Sequence, residues 1–248
     1  LSNVDYSSNF ISGTKPPSDA AANVGPNLIY NAELGGAVDG PVTNQVVNGW
    51  GSGSVGITTS RIYYVTVGGS SWIPPWGDAG TPLWYCVNSA GTAGTYFQAA
   101  TSASRRIPID PLKNYTLAGW FRRNSSQSGS NYLRIRCYDA AGAVLGAVAG
   151  SLNGSTITTS WVQYSKIYGP DGSAFLTGTS SIVAELYMGF QSLQTSMAGG
   201  ITFNEGVTPA GFDPVPKSDI AYEATLDFSS AFISGTKPPA DADKTSSN

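Results

Sequence analysis

Histidine is absent from the 248 residues. Its absence removes the commonest general base, the usual zinc ligand and the Ser/His/Asp arrangement of hydrolases. Cysteine occurs only at Cys86 and Cys137, too few for a disulfide scaffold. The pair could bridge two strands, but Cys137 shares a strand face with Leu133 and Ile135, so free, buried thiols are expected. Charge is also scarce. Charged residues make up 12%, about half the roughly 25% of ordinary soluble domains, and a net charge of -3 supplies no basic field. Nucleic acid and anionic membrane surfaces are therefore not expected partners. No apolar run approaches the ~18 residues of a membrane-spanning helix, so membrane insertion is not expected either. Phosphate-cradling loops, metal-ligand clusters and nucleophile elbows are likewise missing.

Turn formers are plentiful, with 30 glycines and 15 prolines. Between them lie short runs rich in Tyr, Val, Ile and Trp: "NYTLAGWF", "NYLRIRCYDAAG", "WVQYSKIYGPDG" and "SIVAELYMGF". Such spacing predicts an all-β chain folded as a β-sandwich. In "YLRIRCY", Leu133, Ile135 and Cys137 alternate with Tyr132, Arg134, Arg136 and Tyr138, which gives one apolar face and one of arginine and tyrosine. In "NYTLAGWFRR", Tyr115, Leu117, Gly119 and Phe121 oppose Thr116, Ala118, Trp120 and Arg122. In "IVAELYMGF", Ala184, Leu186, Met188 and Phe190 oppose Val183, Glu185 and Tyr187. Three strands thus carry a second face of mixed aromatic and polar character.

Most acids of the central region stand in turns, where side-chain capping accounts for them: Asp39, Asp78, Asp110, Asp139 and Asp171. Glu33, Glu185 and Glu205 remain, thin material for a hydrolase that works with two carboxylates. The chain is expected not to be an enzyme.

"NLIYNAELGG" at 27–36 followed by "NGW" at 48–50 resembles the opening of β-jelly-roll carbohydrate-binding modules of the xylanase and cellulase type. "IPIDPLKNYTLAGWFRR" is similar to their middle strand, and "SWVQYSKIYGPDG" and "GGITFNEGVTP" to their last strands. The likeness covers about residues 27–209 and implies a concave sheet on which sugars lie. It also implies a structural calcium ion, for which Asn204 and Glu205 are the candidate ligands. Gly35 stands where the family usually places an acid, and Asn204 and Glu205 stand where it usually has Asp-Asp, so that site has little anionic company. No other cofactor is expected.

The ends of the chain repeat each other. "FISGTKPP" stands at residues 10–17 and again at 232–239. These units resemble the Gly-Lys-Pro linker repeats of tail-tip and central-fibre proteins of tailed bacteriophages. Adjacent prolines favour extended geometry, so each copy reads as a semi-rigid strap. The expected organisation is a linker repeat over 1–26, a jelly roll over 27–212, and a linker with a second repeat over 213–248. A chain that starts at Leu1 rather than Met reads as a piece of something longer. The resemblance implies a virion setting, with a host cell-surface polysaccharide or lipopolysaccharide and other tail subunits as partners and a homotrimer as the fibre state. The alternatives are a spacer domain without a glycan ligand and an extracellular module of a secreted glycoside hydrolase.

Sugar contacts have two candidate places. In "GGSSWIPPWGDAG", Trp72 and Trp76 bracket two prolines on a loop and can present flat apolar faces to pyranose rings. The second place is the mixed strand face, with Trp120, Arg122, Tyr132, Arg134, Arg136, Glu185 and Tyr187. Each place has a non-binding reading: the loop rings can cap the open end of the sandwich, and the mixed face can be solvated or covered by a partner. Trp84 and Trp161 are expected in the core.

Overall fold

In the computed structural model, residues 25–32, 34, 48–55, 57–62, 73–77, 81–88, 95–126, 129–190 and 193–211 are described. Both copies of "FISGTKPP" lie outside them. The described residues form two antiparallel sheets packed face to face, an all-β jelly roll. The first sheet runs β1 (Trp50–Val55), β4 (Thr95–Thr101), β10 (Ser181–Phe190), β7 (Asn131–Tyr138), β8 (Val144–Val148), with the short β5 (Ile107–Pro108) also paired to β10. The second runs β2 (Ile57–Ile62), β3 (Leu83–Asn88), β11 (Thr195–Glu205), β6 (Tyr115–Arg123), β9 (Val162–Tyr168). The two longest strands, β10 and β11, are central, each with a partner on either side.

Alternation decides which side chains enter the core. On β7, Leu133, Ile135 and Cys137 are buried while Tyr132, Arg134 and Arg136 are half-exposed. Ala184, Leu186, Met188 and Phe190 of β10 meet them, and Leu117, Phe121 and Phe203 close the core from the second sheet. Trp84 is fully buried beside Phe97. Cys86 on β3 and Cys137 on β7 are both buried and unpaired, one in each sheet.

The "NLIYN…NGW" motif works as a clasp. The side chain of Asn27 pairs with the backbone of β11: Oδ1 accepts from Phe203 N at 3.0 Å and Nδ2 donates to Ile201 O at 3.3 Å. Leu28 N and Gly25 N donate to Phe203 O and Glu205 O, which extends the ladder. Asn31 adopts a left-handed φ of 51°, a conformation that Asn tolerates better than most residues. That turn brings its carbonyl to the indole nitrogen of Trp50 at 2.9 Å.

Asn204 and Glu205, the candidate calcium ligands, are both engaged by other groups of the chain. Asn204 is fully buried, its Nδ2 donates to the carbonyls of Glu205 and Thr208, both at 3.0 Å, and its Oδ1 accepts from Ala210 N at 2.8 Å. Glu205 is half-exposed and pairs with Lys113 at 3.0 Å. Calcium needs about six or more oxygen ligands, commonly including carboxylates. Here the amide spends both ends on the C-terminal turn, and no group of three metal-ligating side chains comes together among the described residues.

Candidate functional site

The outward faces of the two sheets are chemically different, and they divide the sequence-derived site residues between them. Tyr132, Arg134, Arg136, Glu185 and Tyr187 lie together on the first sheet, on β7 and β10. Trp120 and Arg122 belong to β6 of the second sheet. The grouping of Trp120 and Arg122 with Glu185 is therefore corrected: alternation shows that each points outward, but they point out of opposite sheets. Trp72 lies outside the described residues.

Trp76 joins Trp120. Their rings are stacked with centroids 6.4 Å apart, and Trp161 meets Trp76 edge-on at 5.1 Å. Beneath them the ladder between β11 and β6 shifts register between Gly199 and Thr202. A Cβ on Gly199 or Gly200 would stand 2.7 Å from the indole of Trp76, and Gly200 has a left-handed φ of 55°. The ring thus lies across a glycine pair that has no side chains to hold it off. Trp161, expected in the core, is half-buried in this outer cluster instead, packed with Trp76 against Leu83 and Met197.

On the first sheet, three tyrosines form a continuous stack. Tyr132 and Tyr187 are direct partners across β7 and β10, with centroids 4.9 Å apart and planes 16° from parallel. Tyr96 of β4 extends the row, 5.3 Å from Tyr187 at 21°. Tyr96 faces Gly189 in register, where an added Cβ would come within 3.5 Å of the Tyr187 ring. The guanidinium carbon of Arg134 lies 4.0 Å from the centre of the Tyr132 ring. The rings therefore cover one another's faces, and only the outer face of Tyr96 is left uncovered within the row. What the row presents to a ligand is a line of phenol edges. Burial pushes the phenols of Tyr132 and Tyr187 up from their ordinary range, so both remain neutral hydroxyl groups at physiological pH.

Beside the stack stands a charged triad. Glu185 is the cross-strand partner of Arg134, and its Oε2 accepts from Arg134 Nε at 2.8 Å. Its Oε1 accepts from Arg136 Nε at 2.5 Å, and this bond holds the Arg136 guanidinium above its usual range. The Glu185 side chain is only 11% exposed, against 28% and 35% for the two arginines. One covered carboxylate thus orients two guanidinium groups that face outward. Next to them a cleft of about 400 Å³ is lined by Gly51, Gln98, Ala100, Tyr132, Arg136 and Glu185. Its floor is low because β1 and β4 offer glycine, alanine and glutamine there.

Tyr96 and Gln98 are site residues the sequence reading missed. "TYFQAAT" has the same alternation as β7, with Phe97 and Ala99 inward, and that pattern could have marked it.

No known family profile matches the sequence, and no curated protein matches it. Solved structures do resemble it. The CBM22-1 xylan-binding domain of Paenibacillus barcinonensis Xyn10C is 12% identical, with a TM-score of 0.43, covering 73% of this chain and 95% of that one. A family 11 carbohydrate-binding module from Clostridium thermocellum is 15% identical, with a TM-score of 0.38, over 66% of this chain and 93% of that one. The enzymatically active domain of bacteriophage CBA120 tailspike protein 4 is 11% identical, with a TM-score of 0.42, over 64% of this chain. The present chain spans 19% of that tailspike chain.

Proposed function

We propose that this chain is a non-catalytic glycan-binding module and that the outward face of its first sheet is the binding surface. The observation that carries the reading is the cleft at the end of the tyrosine stack, where the Tyr132 phenol, the Gln98 carboxamide and the Arg136 guanidinium converge over a floor of small residues, with Arg134 held beside them by Glu185. Polyhydroxylated chains are bound by such sets of fixed donors and acceptors. Glu185 is the one carboxylate among the described lining residues, whereas glycoside hydrolysis by paired carboxylates needs two. This favours binding over cleavage.

The setting is proposed from the sequence. The "FISGTKPP" copies support a place in a tail-tip or central-fibre protein of a tailed phage. There the module would contribute to adsorption by holding host cell-surface polysaccharide or lipopolysaccharide. A trimer and contacts with other tail subunits belong to the same proposal.

Calorimetric titration with a panel of neutral and acidic polysaccharides tests the binding reading. The wild-type chain is expected to bind at least one member, and Tyr187→Ala, which removes the middle ring of the stack, to weaken it about tenfold by taking away aromatic surface and its ordering of two neighbours. A folded Tyr187→Ala variant with wild-type affinity, or no titration by any member at millimolar concentration, sinks the assignment.

A further inference from the structure

Resting on the glycan-binding reading above, we infer that the cleft selects acidic polysaccharides, those carrying sugar carboxylates, over their neutral counterparts. The argument is one of charge count and geometry. Three charged groups form the triad beside the cleft, Arg134, Arg136 and Glu185, and their sum is one positive charge. Glu185 touches both arginines through Nε alone, so the Nη edges of both guanidinium groups keep their donors for a ligand. Those edges match a carboxylate in two-point geometry. The carboxylate of Glu185 lies beneath them, nearly buried, so an approaching chain meets guanidinium first.

Among the described residues, no second carboxylate lines the cleft. Gln98, Ala100 and Gly51 line the cleft with Tyr132, the end ring of the stack that continues through Tyr187 to Tyr96. Further along β7, Tyr138 carries another guanidinium, that of Arg106, at 4.3 Å from its ring centre. A neutral sugar would satisfy hydrogen bonds here but would leave the excess charge unmatched. An extended neutral chain is also commonly held by rings lying flat against it, and in this row the flat faces of Tyr187 and Tyr132 are already taken.

Three uronate-containing polymers serve as probes, polygalacturonate, alginate and hyaluronate, each alongside its own carboxyl-reduced form in which the acid has become a primary alcohol. Xylan and mixed-linkage glucan are the neutral controls. At least one acidic polymer is expected to bind, its reduced form about tenfold more weakly, and the acid form alone to weaken steeply with added salt. Arg136→Gln should bring the acidic polymer down to the level of its reduced form. Glu185→Gln, which removes the internal competitor for the guanidinium groups, should tighten it. Equal affinity for acidic and reduced forms, or binding of neutral controls only, overturns the acidic selectivity and leaves glycan binding standing. Failure of every acidic and neutral polymer to bind overturns both. If Arg136→Gln does not fold, the comparison of each acid with its reduced form and the Glu185→Gln variant still decide the question.

Discussion

The guanidinium of Arg123, on β6 of the second sheet, donates from Nη2 to the carbonyl oxygen of Gly189, on β10 of the first, at 2.9 Å. The same side chain donates from Nε to Ser196 Oγ, reaches Asn131 Oδ1 at 3.4 Å and lies over the ring of Phe190 at 4.6 Å. It is 1% exposed, and burial lowers its pKa to about 10. A charged group so placed fastens the two sheets at one end of the sandwich. Arg123→Ala leaves the oxygens of Ser196, Asn131 and Gly189 without that donor and opens a void, so urea unfolding is expected to show a loss of about 3 kcal/mol. Arg123→Lys cannot fork between them and should recover less than half of it. A loss within error of zero for the alanine variant would show that the clamp is not structural.

Trp76 is expected to matter for stability and not for glycan affinity. Trp76→Ala removes a ring packed on Gly199, Gly200 and two other tryptophans, at a cost of about 2 kcal/mol in the same assay. Polysaccharide affinity should stay within about twofold, because the cluster lies on the sheet opposite the cleft. Gly199→Ala should destabilise through the same contact, since its Cβ would meet the indole at 2.7 Å. Loss of glycan binding in a folded Trp76→Ala variant would relocate the site to the second sheet.

Chelation should leave the fold untouched. With Asn204 already bonded to two carbonyls and one backbone amide, neither EDTA nor millimolar calcium is expected to move the melting temperature by more than about 1 °C. Asn204→Asp should be destabilised by about 2 kcal/mol in EDTA, because a carboxylate would face two carbonyl oxygens with no proton to offer. A calcium-dependent rise in the wild-type melting temperature would show that a cation binds after all.

Alkaline pH should weaken the fold through Cys86. Burial pushes this thiol far up from its ordinary value of 9.0, so the folded chain keeps the proton while the unfolded chain releases it above pH 9. Stability is therefore fully present below that value and falls as pH rises past it. For one such group the loss between pH 8 and pH 10 is about 1.4 kcal/mol. Cys86→Ala should shrink the slope over this interval, whatever it costs in packing. An unchanged slope would count against a protonated, buried thiol.

β7 and β10 were legible because their two faces differ in chemistry. Leu133, Ile135 and Cys137 against Arg134 and Arg136 can be read by eye, and so can Ala184, Leu186 and Met188 against Glu185 and Tyr187. What alternation does not encode is sheet membership. Trp120 and Glu185 both read as outward, and only the long-range pairing of β6 with β11 and of β7 with β10 separates them. Arg123 was not singled out, although the alternation that turns Leu117 and Phe121 inward turns it inward too; what the sequence does not show is that neighbouring strands supply oxygens there. The bonding of Asn204 was not legible either, since its amide nitrogen makes donor bonds to two carbonyls that a carboxylate in its place could not.

The tyrosine row has a pitch that its side chains did not choose. Tyr96, Tyr187 and Tyr132 come from three adjacent strands, and their 5.3 Å and 4.9 Å separations follow the interstrand spacing of about 4.8 Å fixed by backbone hydrogen bonds. Substitution can change how many teeth this comb has, or what stands beside it, but not the distance between them. Under the proposed glycan binding, repeat length in a bound chain would be read by the sheet itself, and charge by residues that are free to vary. On that proposal, exchanging arginine and glutamate would trade one polymer chemistry for another, while the ligand stayed tied to steps of the same size across the strands.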